Sequence, residues 1–212
     1  GCSTRLSSIL FPAILPAFIK KNPEVEIKLY EESVSVLEEL LATGNLDLIF
    51  TTSVINNKAM ECIPFYNEEL VLLTPMDVIP SVVTKKEGYR FPVCDLNCLG
   101  EYPFVLFKQK HHLRKMVDQI LNDSDIRPNI MFDTDNWETC FFMAVEGLAL
   151  TLLPYSPLNK KFLAENADRI NRYSIEGNYS RQLSIYYRKN TYQLKIIEDF
   201  IAMTRAVLSS YE

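Results

Sequence analysis

A chain of 212 residues, 48% hydrophobic and 23% charged, has the make-up of an ordinary globular protein, with enough length for one large domain or two small lobes. Its net charge of −5, with Lys and Arg scattered rather than striped, excludes a chain that itself grips nucleic acid, because phosphate binding needs a basic surface. No apolar run approaches the roughly 18 residues of a membrane span and no signal peptide is evident, so a cytoplasmic location without a membrane partner is expected.

Ser3 or Thr4 caps a predicted helix from Leu6 to Lys20, with Ile9, Leu10, Ala13, Ile14, Ala17 and Phe18 at helical spacing. Pro12 and Pro16 each remove a backbone donor and predict a bend. Asn22-Pro23 stops the helix, and Val25–Tyr30 alternates with period 2 as a strand. Ser33 or Ser35 caps a second helix carrying Leu37, Leu40 and Leu41, which Gly44-Asn45 ends in the left-handed manner. Leu46–Phe50 is an apolar strand of the kind buried on both faces of a parallel sheet. Glu69–Thr74 is another strand, ending at Pro75.

From Met76 to Asn97 the pattern fades, marking the expected crossing between lobes. Phe104–Phe107 (strand), His112–Leu121 (helix), Asn129–Phe132 (strand) and Trp137–Val145 (helix) follow, the last capped by Thr134, Asp135 or Asn136. Gly147 turns that helix into an apolar strand that stops at Pro154. A short helical piece, a strand over Leu183–Tyr187 and a helix from Tyr192 to Leu208 complete the chain. Alternating strands and helices predict a mostly parallel α/β sheet with helices on both faces, in two lobes: 1–74 with 190–212, and 75–189.

Five cysteines at irregular spacing make no disulfide framework, and Cys94 and Cys98 read as partly buried thiols rather than a redox pair or half a zinc site. His111-His112 lacks a third ligand, so no metal is expected. There is no G-x-S-x-G, P-loop, G-x-G-x-x-G or H-E-x-x-H, and six glycines are few for a nucleotide-binding loop, so neither an enzyme nor a cofactor is expected.

Several patterns stand in one order along the chain. They are Gly1-Cys-Ser-Thr4, the Pro12, Phe18 and Pro23 spacing, Val25, Gly44-Asn-Leu-Asp-Leu48, Glu68-Glu-Leu-Val-Leu72, Tyr102-Pro-Phe-Val105, Pro128-Asn-Ile130, and the Phe141 to Pro154 run through Gly147. In that order they resemble the effector-binding domain of LysR-type transcriptional regulators over essentially the whole chain. Pro75-Met-Asp-Val departs from the family's "P-x-x-H-P" by lacking the His, and the family's first strand would precede Gly1. In peroxide-sensing relatives a reactive Cys lies where this chain has His112, which counts against sensing by that thiol.

The resemblance implies two Rossmann-like lobes of the type II periplasmic-binding-protein kind, with an effector in the inter-lobe cleft. It also implies a homodimer, or a tetramer at full length, paired through helix Leu6–Lys20 and strand Val25–Tyr30. DNA would be met only through a helix-turn-helix absent from this chain. A solute-binding protein of a transport system is the alternative with the same architecture.

The cleft residues so implied are Ser3, Thr4, Ser33, Val34, Ser35, Phe107, Lys108, Gln109, His111, Thr134, Asn136 and Trp137, with Thr51 at a strand end. Helix starts expose N–H groups and a partial positive charge, which suits a small anion such as a carboxylate. Lys108 or Lys110 adds full charge, and Phe107 or Trp137 an apolar wall. The plainer readings are ordinary N-caps for the hydroxyls, a strand-end turn for Thr51 and a core position for Trp137.

Overall fold

The computed structural model describes residues 1–156, 159–177, 179–189 and 195–209. These fall into two compact units, the first taking Gly1–Asn67 and the chain from Gln182 together with Asn159, the second Glu68–Ser156 and Lys160–Arg181.

In unit 1, α1 (Thr4–Lys21) starts where Ser3 adopts extended backbone and its hydroxyl accepts from the Leu6 N–H at 3.4 Å. Leu6, Leu10 and Ile14 recur at helical spacing and join Phe50, Leu183, Ile185, Ile201 and Leu208 in one apolar core. Each fully buried aliphatic side chain there stabilises the unit by about 1.5–3 kcal/mol. α2 (Val34–Thr43) buries Leu37 and Leu41 in a second cluster and ends at Gly44, whose φ of 85° is a conformation that side chains resist. β1 (Ile49–Thr51) follows, and β2 (Met60–Pro75) carries the chain out of the unit.

Unit 2 contains the short strands β3 (Val83–Thr84) and β4 (Val93–Cys94), a 3-10 turn at Leu96–Leu99, then β5 (Pro103–Phe107), α3 (His112–Asp123), β6 (Asn129–Thr134) and α4 (Trp137–Val145). β7 (Thr151–Tyr155), α5 (Lys160–Glu165) and β8 (Ile170–Ile175) complete it. One core, including Leu72, Phe104, Leu106, Phe141 and Leu152, fills this unit. The chain returns to unit 1 within β9 (Ser180–Arg188), and α6 (Lys195–Ser209) packs Ile201 and Leu208 into the core there. Residues 192–194 of the expected last helix lie outside the described residues.

Several sequence expectations need correction. The passage between units lies inside β2, at Asn67/Glu68, and inside β9, at Arg181/Gln182, whereas Met76–Asn97 belongs to unit 2. An unbroken strand keeps its amides paired through such a passage, which an irregular loop does not. There Arg181 Nε donates to the buried Glu68 carboxylate at 2.7 Å.

The described ladders are also mostly antiparallel: β1–β9, β2–β7, β2–β8 and β3–β4, against parallel β4–β8 and β5–β6. Helices covering both faces make a strand apolar in either orientation, so composition did not reveal direction. β7 runs through Pro154 rather than stopping at it. Pro154 stands opposite Leu70, whose N–H donates to Tyr179 O, so no amide is required of the proline.

Val25–Tyr30 is not a strand, because a strand needs a ladder and this segment has none among the described residues. Instead Val25, Ile27 and Leu29 help line a mostly apolar groove of about 180 Å³, together with Leu46, Leu48, Phe11, Leu15, Phe18 and Phe200. At its end Gly1 and Cys2 are held from both sides: the Gly1 amine donates to Leu48 O at 2.7 Å, Phe50 N–H to Gly1 O, and Cys2 N–H to Tyr30 O.

Candidate functional site

The expected ligand residues fall into two sets, one in each unit. In unit 1, Ser3 and Thr4 are exposed at the start of α1, the Ser3 hydroxyl already serving as its cap. One turn further, the buried Ser7 hydroxyl donates to the Glu31 carboxylate. Ser33 precedes α2 in extended backbone but makes no side-chain cap bond. Its Oγ lies 3.1 Å from Ser35 Oγ, both exposed. The two hydroxyls thus bond each other rather than the N–H groups of the helix start.

Val34 packs against the core, and buried Thr51 accepts from the Ser53 N–H at 3.0 Å, an ordinary strand-end turn.

Unit 2 builds its set on two neighbouring parallel strands. The β5–β6 register places Phe107 beside Thr134, and the Lys108 N–H donates to Thr134 O, so both strands end side by side and α3 and α4 start together. Ligands of open α/β sheets sit at such strand ends. Buried Arg114, in the first turn of α3, donates Nη1 to Phe107 O at 2.6 Å and Nε to Asp118 at 2.7 Å, tying helix to strand. On the other side Thr134 Oγ1 accepts from the Asn136 N–H, and Asn136 Oδ1 accepts from the Thr139 N–H at 2.9 Å to cap α4.

The charged members converge on one carboxylate. Asp135 accepts from Lys108 Nζ at 2.7 Å, from His111 Nε2 at 2.7 Å and from Lys110 Nζ at 2.9 Å. Lys108, then His111 and Lys110, hold this carboxyl well below the usual carboxylate range, while Asp135 in turn raises Lys108. His111 also sets its ring edge against Phe107 at 5.4 Å. Gln109 is exposed beside them. Phe107 and Trp137 are buried, and Trp137 stacks on Phe141 at 5.1 Å as a core residue.

Asp135 and Lys110 are central here, and the sequence offered Asp135 as one of three caps for α4 and as a member of a cleft loop, without pairing it to the lysines or His111. The signal available was the pair of basic and acidic residues at the ends of two strands, and it becomes readable only once those strands are known to be neighbours.

Other reactive groups are quiet. Burial pushes the Cys2 thiol up to about 11 and the Cys94 and Cys140 thiols up to about 12, which leaves little nucleophilic thiolate. His112 is exposed. Among the described residues no group of three or more His, Cys, Asp or Glu could hold a metal ion, and no helix is long and apolar enough to cross a membrane.

Comparison with known proteins places this arrangement in context. The family model for the LysR substrate binding domain matches residues 1–209. The chain is 27% identical over 210 residues to the uncharacterized HTH-type transcriptional regulator YcgK of Bacillus subtilis (strain 168), covering 94% of this chain and 63% of that protein. It thus spans less than two thirds of that relative. The C-terminal domain of a probable LysR family transcriptional regulator from Rhodococcus sp. RHA1 shares the fold with a TM-score of 0.75 at 18% identity, covering 96% of each chain. The effector binding domain of QuiR, in complex with shikimate, does so with a TM-score of 0.69 at 16% identity, over 99% of this chain and 95% of that one. The fold is therefore α/β with two Rossmann-like lobes, as in type II periplasmic binding proteins. This chain belongs to the LysR substrate-binding domain family.

Proposed function

We propose that this chain is the sensing part of a transcriptional regulator, which holds a small organic anion and passes the change in its shape to a DNA-binding segment outside the chain. The observation that carries the reading is the unit 2 site, where two parallel strands end beside Lys108, Lys110, His111 and Asn136. In unit 1 the exposed Ser33 and Ser35 hydroxyls, bonded only to each other, supply neutral polar groups to the same kind of ligand. Buried Phe107, Trp137 and Thr51, and half-buried Val34, support these contacts rather than meeting the ligand.

The relatives support regulation over solute transport, since YcgK is named a transcriptional regulator. QuiR's shikimate, a carboxylate, is in keeping with an anionic ligand. Binding, not catalysis, is the proposed activity, and the cytoplasm its proposed place. A ligand transmits a signal only if it binds two arrangements of the protein with different affinity.

The same reading makes the chain a homodimer. Ile19, Ile27 and Leu29 are exposed along α1 and the extended segment after it, and Ile130, Met131 and Phe132 along β6, two apolar surfaces suited to association. Ile27→Lys is expected to shift a dimer toward monomer in light-scattering chromatography.

The direct test is thermal unfolding against carboxylates, amino acids, sugar phosphates and inorganic anions. A ligand at 100 times its Kd stabilises by about 2.7 kcal/mol, which moves the midpoint of a chain this long by roughly 5–10 °C. A shift with one class of organic acid, lost in Lys108→Gln, supports the reading. No shift with any organic anion overturns it.

A further inference from the structure

Lys108, Lys110 and His111 come from one loop of unit 2, and all three donate to one carboxylate from the next strand end. The loop is not free to wander: Arg114 fixes the end of β5 behind it, and the Lys108 amide is bonded to Thr134 O. Three donors on one side chain leave an acceptor arrangement of the sort that a bound carboxylate or sulfate would provide.

The cluster is also accessible, with Lys108 47% and Lys110 68% exposed, so a dissolved anion can reach it. Neighbouring charges do not do the work of Asp135. Asp118 pairs with Arg114 at 2.7 Å, and Asp133 stands 4.0 Å from Arg114 while adding a weaker attraction at Lys108. Removing Asp135 alone would strip His111 and both lysines of their shared partner.

We propose that Asp135 is a specificity-determining residue, a tethered carboxylate that occupies the Lys108–Lys110–His111 cluster and must be displaced by the ligand. This rests on the ligand site proposed above and narrows the ligand to a dianion. A tethered group competes at the high effective concentration set by its short connection. A dissolved monocarboxylate offers the same chemistry without that advantage and loses. A dianion, such as a dicarboxylate, sulfate or phosphate, offers a second charge to the two lysines and displaces Asp135. Charge-assisted bonds to both lysines are the attraction it gains.

The test is calorimetric titration of this chain with sulfate and with acetate, at fixed ionic strength, for the natural chain, Asp135→Asn and Asp135→Ser, with Glu101→Gln as a change of equal charge outside the cluster. The natural chain is expected to bind sulfate at least tenfold more tightly than acetate. Both Asp135 variants are expected to bind acetate at least tenfold more tightly than the natural chain does, so that the sulfate preference shrinks. Adding Lys108→Gln to Asp135→Asn should remove the gain. Unchanged acetate binding in both Asp135 variants, or an equal gain in Glu101→Gln, would overturn the proposal. If no organic acid larger than acetate binds while acetate and sulfate respond to Asp135 as described, the assignment of Asp135 stands and the sensor reading falls.

Discussion

The two sets of helix starts solve one problem in opposite ways. Unit 1 offers Ser33 and Ser35, neutral hydroxyls on a helix that does not use them as caps. Unit 2 offers charged groups that already hold a partner, on helices whose first turns are tied down by Arg114 and Asn136. An exposed hydroxyl bonded only to another hydroxyl costs little to engage and discriminates little. A charge that must first release its partner discriminates strongly, because the incoming group has to better an existing contact.

Three outcomes break or sharpen that contrast. Arg114→Ala leaves Phe107 O without its buried donor and detaches α3 from β5. A loss of about 3 kcal/mol is expected, or roughly 6–12 °C in the unfolding midpoint. A fall of less than about 2 °C in calorimetry would mean that the guanidinium does not anchor the unit 2 set.

Asn136→Ala removes a cap bond and is expected to lower stability by about 1 kcal/mol, a shift of about 2–4 °C in thermal unfolding. Ser33→Ala removes none and should cost only a few tenths of a kcal/mol, while weakening ligand binding measured by titration. If Ser33→Ala proves as destabilising as Asn136→Ala, the hydroxyl is structural and the contrast between the units fails.

Local features were legible in the sequence, and pairings were not. The caps at Ser3 and Asn136, the stop at Gly44, and the strand–helix alternation from Phe104 to Val145 depend on residues a few positions apart, and they stand where periodicity and capping chemistry put them. Val25–Tyr30 has the alternation of a strand, but alternation describes a face to be covered, not a partner to be bonded. β8 escaped notice because Asn171 and Arg172 break the apolar pattern, even though Ile170, Tyr173, Ser174 and Ile175 are buried. Ladder direction depends on residues far apart in the chain, as does the meeting of Lys108 with Asp135 across 27 positions. The site was thus readable as two loops of suitable composition, and unreadable as an arrangement of charges.

The groove beside Gly1 is mostly apolar, with Lys28 and Asp47 also at its lining. The extended Val25–Tyr30 segment beside it forms no ladder among the described residues, and backbone left outside a ladder is where another extended polypeptide can pair. Whatever covers that seam therefore also guards the chain against sticking to its own copies, at a range shorter than the repulsion of a net charge of −5.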